Sequence, residues 1–515
     1  MATQERATLG ERQVREDPRR ALVPIDAARF GYDQARHLLW RAGFGGTPAQ
    51  ISAIAALGPE RAVDFLLESP DAREQPPAAD LFDRDIMRPY TAEERRMAVQ
   101  ARSARDEDTL AQLRAMRQQA QVRDRRQMRE IQRWWLTRMI ETPRPLEEKM
   151  VLFWHGHFAT SYRTIEDSYH MYLQNQRFRT HALGNYGTLL REIIRDPAML
   201  AYLDNNDSRK GRPNENLARE LMELFSMGVG TYSESDIKEG ARALTGYTFV
   251  DDEFVFNREN HDTGPKRLFG KSGAFTGDDF VEGILAQRAT STFMTRKLYA
   301  FFVGDLPEDA REVSPAARVV LEGVRTTFTR NRFAIKPVLR QLFLCQHFYS
   351  DEVRGQRIKS PVDLVVGGIR ELRTPVRDTS ALLDALSLMG QNIFYPPSVA
   401  GWAGGRSWIN TSTMFVRQNT LAFLLTGQRP DRRDALADRQ PYDARPLLDE
   451  LEAVFGPGTD ELVVERVLRT TLGRVPTYAA SALLDVLHAR GGKRDHAAMR
   501  DMLLLVTAMP EYQLC

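Results

Sequence analysis

A pair of histidines separated by one glycine is the first candidate for chemistry in this sequence. His155 and His157 lie in the segment WHGHF. Neutral imidazole is a good ligand for zinc, iron or copper. Two histidines at this spacing can bind one ion on a strand or an irregular turn, whereas on a regular helix they point about 200° apart. The alternative is that both rings are hydrogen-bonded polar groups inside an aromatic core.

Glu220 is the second candidate, in the predicted helix NENLARELMELFSMG at 214–228. At about 100° per residue, the leucines of this segment form an apolar stripe, and Glu220 lies at its margin. A carboxylate there is unfavourable unless it is paired. We therefore expect its partner to be a metal ion or an arginine such as Arg219 or Arg242. The alternative is a salt-bridged helix that packs between other helices.

The third candidate is the glycine-rich loop HDTGPKRLFG at 261–270. It contains His261 and Asp262 side by side, followed by Lys266. Loops of this composition often position functional side chains over a rigid scaffold. The alternative is an ordinary polar loop without a chemical role.

Together these residues lead to an enzyme hypothesis with one polar pocket and a divalent metal ion, zinc or iron. The predicted ligands are His155, His157, Glu220, His261 and Asp262. The metal would activate water for hydrolysis, or oxygen if it is iron. Glu220 would act as ligand or general base, and Lys266 would bind an anionic group. The expected activity is that of a metal-dependent hydrolase or an oxygen-using enzyme.

A glycine- and tryptophan-rich segment, PPSVAGWAGGRSWINTSTMF at 396–415, could also bind a ligand. Its tryptophans, Trp402 and Trp408, could stack on sugars or prolines. The same composition also makes a rigid, packed loop. The sequence contains no Walker loop, dinucleotide fingerprint, G-x-S-x-G elbow or HExxH motif.

Composition excludes several classes of protein. The 515 residues include 71 basic and 69 acidic side chains, so no chain-wide positive field would attract nucleic acid. The two cysteines, Cys345 and Cys515, form neither a disulfide framework nor a cysteine-based zinc site. No apolar run approaches the roughly 18 to 20 residues that span a bilayer. We therefore expect no nucleic-acid partner and no membrane span.

Helix signals dominate the elements that must position these residues. Thr47 is a predicted N-cap with Gln50 at the capping-box position, and Ser233 is another with Asp236. Two short alternating runs at 247–257 predict a small hairpin. The predicted fold class is all-α, a large irregular multi-helix domain with one small β-hairpin near 247–257.

A long arginine-rich helix is predicted from Thr91 to about Ile140. Residues 91–133 contain 11 arginines and 7 acidic residues, a local net charge of +4. Such a helix is either a solvated face or a surface for an anionic partner. A second hypothesis follows, in which the protein is a non-enzymatic helical binding or accessory protein. The arginine-rich helix and the tryptophan loop would then contact a partner.

Four regions are predicted along the chain. Residues 1–29 form a disordered polar arm, 30–427 the main helical domain, 428–445 a linker and 446–515 a C-terminal helical unit. The first residues lack the apolar run of a secretory signal, so the default expectation is a cytoplasmic protein.

Several segments, in this order, resemble the bacterial family known as domain of unknown function 1800. The resemblance runs from about residue 30 to 427. The matching segments are HLLWRAGFGGTP at 37–48, WWLTRMIETPRPLEEKMVLFWHGHF at 134–158, NENLARELMELFSMG at 214–228, ARALTGYTF at 241–249, HDTGPKRLFG at 261–270, IKSPVDLVVGGIREL at 358–372 and GQNIFYPPSVAGWAGGRSWIN at 390–410.

The resemblance implies a partner more than an activity, because this family has no established activity. Its members are often encoded beside proteins of domain of unknown function 1501, a family that looks like the sulfatase and alkaline-phosphatase fold. A protein of that kind is therefore the implied partner. Members are also often exported, and the lack of a visible signal peptide in this chain departs from those members.

Overall fold

The computed structural model describes residues 17–68, 81–428, 440–491 and 494–515. Helices form most of this part of the chain, which confirms the predicted all-α fold. The α-helices of the first half are α1 (Tyr32–Ala42), α2 (Pro48–Leu57), α3 (Pro59–Glu68), α4 (Ala92–Ala104), α5 (Glu107–Glu141), α6 (Pro145–His157), α7 (Tyr162–Ile165), α8 (Ser168–Thr180), α9 (Tyr186–Ile193), α10 (Pro197–Tyr202), α11 (Asn216–Glu223) and α12 (Glu234–Ala243).

The second half continues in the same way after two short hairpins. Its α-helices are α13 (Gly277–Leu285), α14 (Arg288–Phe302), α15 (Pro315–Arg330), α16 (Ile335–Leu344), α17 (Pro361–Leu372), α18 (Thr379–Leu388), α19 (Thr411–Thr426), α20 (Arg445–Phe455), α21 (Asp460–Leu472), α22 (Thr477–Ala489) and α23 (His496–Ala508). Across the described ranges, no helix combines the length and the apolar character that crossing a membrane requires.

The sequence pattern predicted one of the two hairpins and not the other. The predicted one is present, with β1 (Tyr247–Val250) antiparallel to β2 (Glu253–Phe256) and Tyr247 paired with Phe256. A second pair, β3 (Lys266–Leu268) with β4 (Lys271–Gly273), lies in the segment predicted as a loop. Its strands are three residues long, too short to carry an alternating hydrophobic pattern.

Helix ends follow the predicted capping chemistry, with two differences in length. The Thr47 hydroxyl accepts a hydrogen bond from Gln50 N at 3.4 Å, and Gln50 Oε1 accepts one from Thr47 N at 3.0 Å. The predicted single arginine-rich helix is instead α4 and α5, because Arg105 adopts a left-handed conformation with φ of 56°. Helix α11 ends at Glu223, five residues before the end of the helix predicted at 214–228.

Buried hydrophobic residues form one core cluster that extends along the chain from Ala21 to Tyr512. Residues 17–29, in the region predicted as an arm, form two short 3-10 turns and bury Ala21 and Ile25. The C-terminal helices pack on the rest, α20 against α2 and α23 against α19. Residues 1–16 of the predicted arm and 429–439 of the predicted linker lie outside the described residues.

Candidate functional site

Both histidines of the HGH segment lie in the last turn of α6. This helix starts at Pro145, and Glu147 and Glu148 occupy its first turn, where carboxylates favour a helix N-terminus. Because the segment is helical, side chains two residues apart point about 200° from each other. The structure therefore directs the two imidazoles into different surroundings.

His155 lies in an aromatic environment with one polar partner. Its ring is 4.6 Å from Trp135 and 4.9 Å from Phe394, measured between centroids. The Asn175 side-chain amide is 3.0 Å from His155 Nε2. Burial, with a smaller contribution from the positive charge of Arg179, lowers the pKa of His155 to about 3. The ring is therefore neutral near pH 7 and packs as part of the core.

His157 has one hydrogen bond and one nitrogen without a partner. Its Nε2–H donates to the main-chain oxygen of Phe225 at 2.8 Å, and its Nδ1 has no partner among the described residues. Its ring stacks on Phe153 at 5.7 Å and lies 6.2 Å from Phe293. Burial and the charge of Lys297 lower the pKa of His157 to about 3.

Among the described residues, Glu220 forms no ion pair with Arg219 or Arg242, the two arginines that the sequence analysis offered as partners. Its Oε2 is buried and makes no hydrogen bond within the described residues. Arg219 instead donates to Glu215 at 3.2 Å and to Glu234 at 3.1 Å. Burial raises the pKa of Glu220, and the neighbouring charge of Glu223 raises it further.

The residues of the 261–270 segment are held by local contacts. His261 Nδ1 is 2.8 Å from the main-chain oxygen of Thr245, and Asp262 accepts from Arg242 Nε at 2.8 Å. The arginine holds the pKa of Asp262 at about 2. Lys266 is buried and donates to the main-chain oxygens of Asp262 and, at 3.2 Å, of Gly264. These hydrogen bonds hold the 261–270 segment in one conformation and attach it to α12 and the residues that follow this helix.

The predicted ligands are divided among several hydrogen-bond networks, of which His261 and Asp262 share one through Thr245. His157 donates to the carbonyl of Phe225, two residues beyond the end of α11, and Asp262 is paired with Arg242. Within the ranges that the structure describes, no group of three His, Cys, Asp or Glu side chains could hold a metal ion. The metal centre stays a prediction from the sequence.

A cleft lies between α14 and the tryptophan loop, the glycine- and tryptophan-rich segment at 396–415. We call it the Lys297 cleft. It has a volume of about 410 Å³, within the usual range for small-molecule sites. Its walls are residues 293–300 of α14, the turn at 305–306 and residues 403–406 of the loop.

Three cations and one carboxylate line this cleft: Arg296, Lys297, Arg406 and Asp305. Arg296 donates to the main-chain oxygen of Pro307 at 3.3 Å. The side chains of Lys297 and Arg406 make no hydrogen bond or ion pair with any described residue, although Lys297 Nζ lies 5.3 Å from the centroid of the Phe293 ring. The Lys297 side chain is exposed to the cleft, but protein atoms surround it closely enough to desolvate its ammonium group in part. This desolvation lowers the pKa of Lys297.

Close backbone contact fixes the tryptophan loop against α6. Gly401 has a φ of 79°, and a Cβ added there would be 2.0 Å from the oxygen of Gly156. The Trp402 ring packs over Gly156, where an added Cβ would be 3.6 Å from its Cε3. Gly405 lies against Asp305, with 2.8 Å from an added Cβ to Oδ2. The HGH segment and the tryptophan loop therefore meet beside the cleft, and the loop packs closely against α6.

Sequence reasoning missed the charged residues of the cleft. Lys297 lies in an ordinary amphipathic helix with no motif around it. Arg406 belongs to a segment that was singled out for its tryptophans. The one available signal was the pair of glycines at 404–405, since both take positive φ values and Gly405 also lies close to Asp305.

Comparison with known proteins identifies the family and no activity. No curated protein and no solved structure matches the chain. The family model described as "Protein of unknown function (DUF1800)" matches residues 37–514, which include the second half of α1, the cleft and the C-terminal helices. The chain therefore belongs to the DUF1800 family.

Proposed function

We propose that this protein is a binding protein that takes a small organic anion into the Lys297 cleft. One observation carries the proposal: Lys297 and Arg406 line the cleft without a carboxylate partner in the described chain. Cations that converge on a concave, partly desolvated surface raise the local concentration of anions. An anionic group between them would supply the charge that both side chains lack.

The lining indicates which anions fit. Lysine offers a compact positive charge, and arginine offers a planar fork that suits a carboxylate or phosphate group. Phe293 and Leu306 add an apolar wall for a hydrocarbon or aromatic body. Asp305 is the one acidic side chain of the lining, so a hydroxyl or amine on the ligand would find an acceptor there. The ligand class is therefore a small carboxylate or phosphate with an aromatic or aliphatic body.

Binding fits the surroundings of the cleft better than metal chemistry does. A hydrolytic metal centre needs three or more converging ligands. His155 and His157 point to different sides of α6, and Asp262 is engaged by Arg242. The metal hypothesis makes its own prediction, which is bound zinc or iron in protein purified without a histidine tag.

Calorimetric titration with matched probes tests the proposal. Phenyl phosphate and benzoate carry an aromatic ring and an anionic group, benzamide is the neutral match and benzylamine the cationic one. We expect phenyl phosphate and benzoate to bind, and benzamide and benzylamine to bind at least about tenfold more weakly, because charged hydrogen bonds would be lost. Equal binding of all four probes would contradict the proposal.

A further inference from the structure

A second cavity lies between α5, α7 and Tyr395, and it shares no lining residue with the Lys297 cleft. We call it the Arg163 pocket, since Arg125 of α5, Arg163 of α7 and Tyr395 all line it. Its volume is about 220 Å³, which is below the range of about 300 to 1,000 Å³ that is usual for drug-sized ligands. A ligand of this pocket is therefore small.

Two exposed arginines line the pocket without a partner. The side chains of Arg125 and Arg163 make no hydrogen bond or ion pair within the part of the chain that the structure describes. In contrast, Arg129, one turn further along α5, pairs with Asp384. A guanidinium group stays charged and presents its N–H donors in a planar fork. The pocket therefore offers two forks to a ligand.

The Tyr395 hydroxyl is a third donor at this pocket. It makes no hydrogen bond with the described residues, and the ring is half-buried. Burial raises the pKa of Tyr395 to about 12, although the positive charges of Arg129, Arg163 and Arg125 oppose the rise. The hydroxyl therefore keeps its proton near neutral pH. Because both pocket arginines act on it, the three groups lie within electrostatic range of one another.

The two carboxylates of the lining are Asp124 and Glu166, and their situations differ. Asp124 is 1% exposed, and it accepts from the Tyr162 hydroxyl at 2.7 Å, from Ser168 N at 3.0 Å and from Ser168 Oγ at 2.6 Å. Glu166 is exposed and accepts from Gln121 Nε2 at 3.4 Å. Three donors therefore already engage Asp124, whereas Glu166 is the carboxylate that would oppose a bound anion.

We propose that the Arg163 pocket binds a phosphate group between Arg125, Arg163 and the Tyr395 hydroxyl. The three donors come from different segments of the chain, so a ligand with oxygens on several sides suits them better than a planar carboxylate does. A phosphate group carries nearly two negative charges at pH 8 and balances both guanidinium charges. The pocket has room for inorganic phosphate or for a small phosphate ester. This site does not depend on ligand binding in the Lys297 cleft.

Modification of arginines by phenylglyoxal at pH 8, followed residue by residue with peptide mass spectrometry, tests this site. Exposed guanidinium groups react, and a bound phosphate shields them. For a dissociation constant of about 2 mM, about 20 mM inorganic phosphate should slow the modification of Arg125 and Arg163 by about tenfold relative to sodium chloride of equal ionic strength. Arg96, an exposed arginine of α4 without a partner among the described residues, is the control within the same chain and should slow by less than about twofold.

Two further ligands identify the source of the phosphate group. Glycerol phosphate that protects at a lower concentration than inorganic phosphate indicates an ester, and weaker protection indicates the free ion. Acetate carries a planar carboxylate with one charge, so it should need an at least about fivefold higher concentration than inorganic phosphate for the same protection. Equal protection by acetate would overturn the assignment to phosphate.

Two variants separate this pocket from the Lys297 cleft and from general attraction of anions. Glu166→Gln removes the opposing carboxylate and should lower the phosphate concentration for half protection by about threefold. Lys297→Met changes only the other cleft and should leave the protection of Arg125 and Arg163 as it is. Equal modification rates of these two arginines in phosphate and chloride, the same slowing at Arg96, or an unchanged half-protecting concentration in Glu166→Gln would each overturn the site.

Discussion

Acid should unfold this protein partly through the two histidines of α6. His155 and His157 have pKa values lowered to about 3 in the folded chain, against an ordinary value of about 6.5. The unfolded chain therefore takes up protons first as the pH falls. The stabilisation from keeping both rings neutral is complete above about pH 6.5 and declines as the pH falls toward about 3.

The expected size follows from the two pKa values. At pH 5 each histidine should lower the free energy of unfolding by about 2 kcal/mol relative to neutral pH, or about 4 kcal/mol for the pair. Near that pH, each should add about 1.4 kcal/mol per pH unit to the slope of stability against pH. Each ring packs against aromatic neighbours in the last turn of α6. A protonated ring therefore cannot reach water without disrupting this packing.

Urea unfolding at pH 7.5, 5.5 and 4.5 measures the effect. His155→Gln and His157→Gln should each reduce the slope between pH 5.5 and 4.5 by about 1.4 kcal/mol per pH unit relative to the parent chain. His488→Gln, which changes an exposed ring on α22, should leave the slope as it is. If all three variants have the slope of the parent, the histidines are not the buried neutral groups described here.

Three further substitutions have defined outcomes. Trp154→Ala removes a fully buried ring and should lower the free energy of unfolding by roughly 3 to 5 kcal/mol in the same urea assay. Glu220→Gln should leave the free energy of unfolding at pH 7 unchanged or raise it by up to about 1 kcal/mol, because it removes a half-buried charge without a hydrogen-bond partner at Oε2. A loss of bound metal or of stability in this variant would instead support the metal hypothesis. Arg125→Glu on the exposed face of α5 should weaken co-purification of a partner of the domain of unknown function 1501 kind at low salt, if such a complex forms, and no effect there would count against an α5 interface.

The sequence predicted those elements of the fold that depend only on residues close to each other in the chain. Thr47 with Gln50 formed the expected capping box because both partners lie within one turn. The break between α4 and α5 was missed, since Arg105 takes its left-handed conformation without any glycine or proline to signal it. The short β3–β4 pair was missed for a similar reason, as three-residue strands carry no periodic pattern.

The candidate site was less predictable because it depends on contacts between distant segments. The spacing of His155 and His157 already implied opposite directions on a helix, and the structure has them on one. The cleft residues Lys297 and Arg406 are more than a hundred positions apart, and packing of the loop on Gly156 brings them together. No pattern in a single sequence specifies that two such distant residues line the same cleft.

The dissociation constant of phenyl phosphate, measured for the parent chain and two lysine variants, tests anion binding in the Lys297 cleft most directly. Lys297→Met removes the cleft cation while keeping an unbranched side chain, and Lys336→Met makes the same change at an exposed position of α16. The account predicts that Lys297→Met weakens binding at least about tenfold and that Lys336→Met leaves it within about twofold. Equal dissociation constants for the parent and Lys297→Met, or no binding to the parent chain, would contradict it.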